Sequence, residues 1–204
     1  MSEENTDIHF KGVLLGSVGV GKSNILLRLS DDIFDENLPG TVGVDFRFFY
    51  HTTQDGKRVC IQFWDTAGQE KMESIAKLFY KDCYGAIIVY DVTNEASFKR
   101  IDFWIEELQK YAPDSKIIVL ANKTDLAEER KIPTEEGQAY CKAKGYFFAE
   151  VSAKENPGQG IEKAVSQLAE DIAKNVHVPA QEASVMRIDE KKLENAPTEK
   201  KGCC

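Results

Sequence analysis

The sequence has no long apolar run and no excess of basic residues. No apolar run approaches the ~20 residues that a helix needs to span a bilayer, and residues 1–5 are polar and acidic, unlike a signal or transit peptide. Residue 2 is Ser rather than Gly, so N-myristoylation is not expected. The net charge is −8 over 204 residues, which argues against a protein built to bind nucleic acid. The length fits one ordinary domain with a real core.

Paired cysteines and clustered histidines are also absent. Cys60, Cys83 and Cys141 lie singly without CxxC spacing, so we expect free buried thiols in a reducing compartment. The three histidines are far apart in sequence, and we expect no zinc site. The other two cysteines, Cys203 and Cys204, end a 30-residue segment, 175–204, that is poor in large apolar residues. This composition predicts a flexible tail after a domain at 1–174.

Short apolar runs alternate with helical patterns along the rest of the chain. The predicted strands lie at about residues 8–16, 46–50, 59–64, 86–90, 116–120 and 147–151. Asp55-Gly56 indicates a tight turn between the second and third strands. Helical stripes are predicted after residue 22, over about 95–111, and from Ile161 to Ile172. The pattern predicts an α/β fold with a six-stranded, mostly parallel sheet that has one antiparallel edge and five flanking helices.

Residues 16–23 read GxxxxGK[ST] between the first strand and a helix. This context is typical of a phosphate-binding loop, in which glycines let backbone N–H groups surround an anion. The helix N-terminus adds a positive partial charge. We expect Lys22 to reach the β- and γ-phosphates of a nucleotide and the Ser23 hydroxyl to bind Mg²⁺.

Two later segments specify the base. Asn122-Lys123-Thr124-Asp125 follows a strand, and the Asp125 carboxylate can accept hydrogen bonds from the ring N–H and the exocyclic amine of guanine. Adenine would leave that carboxylate unpaired. Ser152-Ala153-Lys154 follows the last strand, where the Ala153 N–H can meet the guanine carbonyl oxygen. Both segments lie at predicted strand ends, where ligands bind in open α/β sheets.

The segment 64–70, at the end of the third strand, supplies the predicted hydrolytic groups. Asp65 is expected to hold Mg²⁺ through water, and the Gly68 N–H to contact a γ-phosphate. Gln69 can orient the attacking water, so Gln69 and Lys22 are the predicted catalytic residues.

With these motifs in this order, residues 8–174 resemble a small GTPase of the Ras superfamily, within the P-loop NTPases, and specifically the Rab family. The resemblance implies that Thr41 binds Mg²⁺ and senses the γ-phosphate, and that Phe34 packs on guanine. The predicted nucleotide contacts are Val18, Gly19, Val20, Gly21, Lys22, Ser23, Asn24, Phe34, Thr41, Gly68, Asn122, Lys123, Asp125, Ser152, Ala153 and Lys154. The predicted Mg²⁺ ligands are Ser23, Thr41 and Asp65. Residues 71–73 and 81–83 depart from the family pattern, which indicates a divergent member.

The resemblance also implies a monomeric GTP/GDP switch in vesicle trafficking. Its partners would be an exchange factor, a GTPase-activating protein, a GDP-dissociation inhibitor, escort proteins and effectors. Phe46, Trp64 and Phe79 match the family's aromatic triad for effectors, although plain core packing also explains them. Cys203 and Cys204 resemble a double prenylation site that would anchor the protein on the cytosolic face of an endomembrane; two incidental thiols are the alternative.

Other functions stay open at this stage. Val18 occupies a phosphate-loop position where Ras-like proteins usually carry Gly, and its branched side chain would crowd Gln69. Hydrolysis would then be slow, which favours a GTP-loaded membrane tether as an alternative function. An ATPase or small-molecule kinase is a further alternative, against which Asp125 argues. No catalytic arginine within the chain is evident, and we expect a partner to supply it; the sequence alone leaves Arg28 and Arg47 open.

Overall fold

A computed structural model describes residues 8–41, 44–66, 79–156 and 159–175, without the side chains of residues 44 and 66. Its six strands are β1 (Ile8–Leu15), β2 (Val44–Thr52), β3 (Arg58–Thr66), β4 (Gly85–Asp91), β5 (Lys116–Asn122) and β6 (Phe147–Glu150). They form one sheet in the order β2-β3-β1-β4-β5-β6. Only the β2–β3 pair is antiparallel among these strands. The predicted mostly parallel sheet with one antiparallel edge is confirmed.

Five α-helices flank the sheet in the described part of the chain. They are α1 (Lys22–Asp31), α2 (Glu95–Lys99), α3 (Ile101–Gln109), α4 (Thr134–Lys144) and α5 (Gly160–Asn175), with a short 3-10 turn at Ala127–Glu129. None of the helices described here is long and apolar enough to cross a membrane.

The core lies on both faces of the sheet. On one face, Ile25 of α1 and Leu168 of α5 pack against Phe10, Ile61 and Ile87. The other face carries a second cluster around β4 and β5, to which α3 contributes four apolar side chains: Ile101, Trp104, Ile105 and Leu108. Every residue of β4 is buried, as expected for an interior strand covered on both sides.

The helix predicted over 95–111 is wrong in one respect, because the chain forms two helices that meet at Arg100. Asn94 caps the first helix by accepting from the N–H groups of Ala96 and Ser97, at 3.0 and 3.3 Å. Ser97 is tied to the end of β4, since its Oγ accepts from the Asp91 N–H at 3.0 Å. Arg100 has ψ 1°, outside the helical region. The helical conformation is therefore interrupted there, and α3 packs against β4 and β5.

The hairpin and the internal cysteines match their predictions. The turn between β2 and β3 contains Gly56 at φ +83°, and the Thr53 N–H donates to the Lys57 carbonyl at 2.8 Å. Cys60, Cys83 and Cys141 are buried, and none of the three forms a disulfide. Burial raises the pKa of both the Cys83 and Cys141 thiols to about 12, so neither is a reactive thiolate near neutral pH. The tail was predicted to begin at residue 175, but Asn175 is the last residue of α5; residues 176–204, with the terminal cysteines, lie outside the described residues.

The topology fixes where a ligand can bind. The chain leaves β1 for neighbours on one side, β3 and β2, and then returns past β1 to β4 on the other. In open α/β sheets, the crevice at such a switch point opens at the carboxyl ends of the strands. The segments 16–21 and 122–126 start from this edge, and residues 151–156 follow β6 there.

One packing contact in β1 gives a stability prediction. A Cβ added at Gly12 would lie 2.6 Å from the buried Phe63 ring, so Gly12→Ala should overpack the core and lower the free energy of unfolding by roughly 1–3 kcal/mol. Urea unfolding measures the change. Gly160→Ala is the control, because a Cβ added at Gly160 would lie 4.0 Å from its nearest neighbour, Val151 Cγ1. Equal stability of the two variants would contradict the prediction.

Candidate functional site

A cavity of about 590 Å³ opens at the carboxyl edge of the sheet. Its lining comes from the loop after β1, the start of α1, the segment 34–41 and the loops after β5 and β6. The lining residues are Val18, Gly19, Gly21, Lys22, Ser23, Asn24, Phe34, Glu36, Leu38, Pro39, Gly40, Thr41, Asn122, Lys123, Asp125, Leu126, Ala153 and Lys154. The phosphate-loop residues and Asp125 therefore line one continuous cavity.

Lys22 is a buried cation at the start of α1. Its Nζ donates to the carbonyl oxygens of Gly16 and Ser17, at 2.9 and 3.0 Å. Burial lowers the pKa of Lys22, and the nearby Asp65 charge opposes that shift. Gly21 is the N-cap of α1, with φ +97°, and a Cβ there would lie 2.4 Å from the Asn122 amide nitrogen. Only Gly fits this position, which brings the helix N-terminus and Lys22 to the cavity.

Three oxygen-bearing side chains converge beside Lys22. The Ser23 hydroxyl donates to Asp65 Oδ2 at 2.5 Å and lies 2.8 Å from Thr41 Oγ1, which is 3.3 Å from the same Asp65 oxygen. Asp65 Oδ1 is buried and has no hydrogen-bond partner in the described part of the chain. Burial raises the pKa of Asp65, against the Ser23 hydrogen bond and the Lys22 charge. Oxygen ligands with an unsatisfied carboxylate oxygen suit Mg²⁺.

The Asn122 side chain joins two of the cavity loops. Its Nδ2 donates to the Val20 carbonyl at 2.8 Å, and its Oδ1 accepts from the Ala153 N–H at 3.1 Å. Asn122 is 1% exposed. The Ala153 N–H, predicted to meet a guanine carbonyl, thus donates to Asn122 in this structure, and Val20 is a core residue whose carbonyl fixes the loop.

Asp125 is oriented by Ser152. The Ser152 hydroxyl donates to Asp125 Oδ1 at 2.6 Å and accepts from the Glu155 N–H at 3.0 Å. Ser152 is buried and does not line the cavity, so its geometry is that of a support for the carboxylate. Asp125 itself lines the cavity, where its remaining acceptor capacity can serve a base with two adjacent donors.

Lys123 is held by a carboxylate that the sequence analysis did not single out. Lys123 Nζ lies 2.7 Å from Asp91 Oδ2. Burial alone would raise the pKa of Asp91, but hydrogen bonds from Lys123 and Thr93 bring it below its ordinary value. Because Lys123 has φ +68°, an uncommon conformation for a non-Gly residue, the ion pair helps to fix the loop. The sequence signal for Asp91 was its place at the end of β4.

Neither candidate catalytic arginine of the chain is available to the cavity. Arg28 donates to Ala153, Lys154 and Asp32. Arg47 lies on β2 and pairs with Asp31 and Asp45, at 2.7 and 3.4 Å. Neither residue lines the cavity. The sequence left open whether Arg28 or Arg47 contributes to catalysis, and these contacts do not support such a role.

The predicted aromatic triad forms one surface cluster. Ring centroids are 5.3 Å apart for Phe46 and Trp64, and 5.8 Å apart for Trp64 and Phe79. Phe46 is exposed, whereas Trp64 and Phe79 pack against the core, so surface presentation and core packing hold together. Phe48 and Tyr50 extend the exposed face along β2, with successive ring centroids 5.8 and 6.4 Å apart.

Of the predicted site residues that the structure describes, Val20, Ser152 and Asp65 do not line the cavity. Gly68 and Gln69 lie outside the described residues, so the position of the predicted catalytic Gln69 stays a prediction. Asn24 lines the cavity but also exchanges two 3.0 Å hydrogen bonds with the Asp35 backbone. Five lining residues were not among the predicted nucleotide contacts: Glu36, Leu38, Pro39, Gly40 and Leu126. They belong to irregular loops, which have no hydrophobic periodicity from which their position could be predicted.

Comparison with known proteins identifies the family. Residues 11–174 match the model of the Ras family. Among similar proteins, the chain is 38% identical to Ras-related protein RabC of Dictyostelium discoideum, over 97% of this chain and 98% of that protein. It is 42% identical to Ras-related protein RABD2a of Arabidopsis thaliana, over 81% of each chain. It is 38% identical to human Ras-related protein Rab-3B, over 84% of this chain and 80% of that protein. The resemblance found in the motifs is confirmed: the chain belongs to the Ras family, as a small GTPase of the Rab type.

Proposed function

We propose that the protein is a GTP/GDP switch that regulates vesicle trafficking on cytosolic membrane surfaces. The observation that carries this proposal is a single cavity with different chemistry at its two ends. One end is lined by Lys22, Ser23 and Thr41. The Asp65 carboxylate, which does not itself line the cavity, accepts hydrogen bonds from the Ser23 and Thr41 hydroxyls, and these groups suit phosphates and Mg²⁺. The other end holds Asp125, which suits the two donors of guanine.

The residues divide the work of binding and hydrolysis. Ser23, Thr41 and Asp65 would hold Mg²⁺, which neutralises negative charge on the phosphates. Lys22, which lines the cavity, is proposed to stabilise the charge that develops on the transferred phosphoryl group. Gln69 is proposed to orient the attacking water. Thr41, on the segment that precedes β2, would report the γ-phosphate to that segment, as in switches that are ordered by a phosphate contact.

Hydrolysis would depend on a partner for its arginine. Arg28 is engaged by backbone carbonyls and Arg47 by two carboxylates, so neither is free to approach the phosphates. A GTPase-activating protein would therefore supply the positive charge. An exchange factor would in turn release GDP, and effectors would bind the Phe46–Trp64–Phe79 cluster, of which Phe46 is exposed, in the GTP-bound state.

The membrane anchor is proposed from the end of the sequence. Cys203 and Cys204 offer two attachment points for lipids, and two chains give the stable anchoring that a single chain does not. Only Lys200 and Lys201 lie next to them, so electrostatic attraction to anionic lipids would be weak. A GDP-dissociation inhibitor and escort proteins would then be needed to shield the lipids in the cytosol.

Val18 supports a second candidate function, a GTP-loaded membrane tether with little hydrolysis. Its side chain is 74% exposed at the opening of the cavity, among the phosphate-loop residues. A branched side chain there takes up space that a catalytic glutamine and an incoming arginine both need. Since positioning supplies most of the catalysis in phosphoryl transfer, a small displacement would slow the reaction strongly.

We predict that Val18→Gly speeds single-turnover GTP hydrolysis by on the order of 10²-fold, because it clears space beside the phosphates. Rapid-quench measurement of phosphate release from preloaded protein gives the rate. Ile33→Ala is the control, since it shortens an exposed aliphatic side chain that does not line the cavity. If Val18→Gly and wild type hydrolyse GTP at comparable rates, the tether function loses its support and the protein is an ordinary switch.

We further predict that Asp125→Asn lowers GDP affinity by about 100-fold or more and raises the affinity for xanthosine diphosphate. The Asn amide N–H can donate to the carbonyl that xanthine carries in place of the exocyclic amine of guanine. With guanine, the same amide N–H faces another donor, the exocyclic amine, and no hydrogen bond forms. Competition against a fluorescent nucleotide measures both affinities.

Asp114→Asn, at an exposed site away from the cavity, is the matched control. Excess ATP should not displace GDP from wild type. Displacement by ATP, or unchanged GDP affinity in Asp125→Asn, would exclude this guanine site and favour a different nucleotide enzyme.

A further inference from the structure

Arg28, on the last turn of α1, contacts two separate segments of the cavity wall. Its Nε donates to the Ala153 carbonyl at 2.7 Å, and its Nη2 donates to the Lys154 carbonyl at 2.8 Å. Its Nη1 donates to the Asp32 carbonyl at 2.7 Å and to Asp32 Oδ1 at 3.0 Å. The side chain is only 16% exposed. A single guanidinium thus uses all three of its nitrogens on two segments.

The first segment is the loop after β6, which orients the base-recognising carboxylate. Ser152 precedes the two carbonyls that Arg28 holds, and its hydroxyl donates to Asp125 Oδ1 at 2.6 Å. Asn122 fixes the same loop from the other side through the Ala153 N–H. The position of Ser152, and with it the direction of the Asp125 carboxylate, therefore depends on contacts that Arg28 supplies.

The second segment begins at Asp32, the C-cap of α1, which has φ +53°. From Asp32 the chain enters the segment that brings Phe34 and Thr41 to the cavity. Lys154 Nζ also lies 3.5 Å from Glu36 Oε1, on the same segment. Arg28 consequently joins the start of the phosphate-sensing segment to the loop at the base end of the cavity.

We propose that Arg28 is a positioning residue that sets guanine selectivity and slows GDP release. It acts through the loop 152–154 on Asp125 and does not itself touch the nucleotide. The planar fork of a guanidinium suits two adjacent carbonyls and an aspartate, which a lysine ammonium cannot match at once. This inference rests on the proposed guanine-nucleotide function.

The test compares the release of GDP with the release of inosine diphosphate, which lacks the exocyclic amine that Asp125 would accept. In wild type, inosine diphosphate should leave faster than GDP. In Arg28→Met, GDP release should become roughly tenfold faster, because two hydrogen bonds from a charged donor to the loop are lost. The release rate of inosine diphosphate divided by that of GDP should also fall by about threefold or more, since a displaced Asp125 no longer distinguishes the two bases.

Two further variants separate positioning from general destabilisation. Arg47→Met removes a different arginine that also contacts α1, through Asp31, and should leave the ratio unchanged. Arg28→Lys retains the charge and should give a ratio between those of wild type and Arg28→Met. If Arg28→Met does not fold, Arg28→Lys is the variant that tests the proposal.

Each outcome either supports or overturns the positioning role of Arg28. Unchanged GDP release in the Arg28 variants would overturn the proposal. Faster release with an unchanged ratio would also overturn it, because that result means loss of stability alone. If wild type itself binds no GDP, the proposed guanine-nucleotide function fails, whereas tight wild-type binding with an unaffected Arg28→Met refutes only the positioning role.

Discussion

The architecture of the cavity depends on the two hydrogen bonds of the buried Asn122 amide. They join the loop after β1, through the Val20 carbonyl, to the loop after β6, through the Ala153 N–H. Asn122 itself ends β5, so one side chain fixes the relative positions of three strand ends. A buried amide without partners is costly, and this cost opposes any separation of the phosphate end of the cavity from the base end.

Close packing around Asn122 explains why a glycine begins α1. The chain must turn through a left-handed conformation at Gly21, and the Asn122 amide occupies the space that a side chain would need. The N-terminus of α1 can then approach the cavity, and Lys22, the first residue of the helix, lines it. The buried Lys22 and Asp65 carry opposite charges, and the Asp65 charge offsets part of the burial that lowers the pKa of Lys22. The proposed phosphate site is thus assembled from groups that are individually costly to bury.

Much of this arrangement could be predicted from the sequence, because the motifs stand at the ends of strongly apolar strands. The central residues of β4 and β5, at 86–90 and 117–121, are apolar, and Asp55-Gly56 marks the hairpin turn. Helix α4 gave a much weaker signal: only Gly137 and Cys141 are buried in it, and a central glycine normally disfavours a helix. The structure shows why it is there, since a Cβ at Gly137 would lie 2.5 Å from the Tyr90 hydroxyl. The supporting contacts of Arg28, Asp91 and Ser152 depend on tertiary geometry, which no local pattern encodes.

The edge strand β2 has a consequence for the behaviour of the protein at high concentration. Phe46, Phe48 and Tyr50 form an exposed aromatic row on β2, which pairs with β3 alone among the strands that the structure describes. The open edge of such a strand tends to pair with other chains. The net charge of −8 gives every molecule the same sign and keeps the rows apart. That repulsion acts over about 10 Å in 0.1 M salt but only about 3 Å in 1 M salt. Colloidal stability of this chain therefore rests on its acidity, and concentrated salt removes that protection.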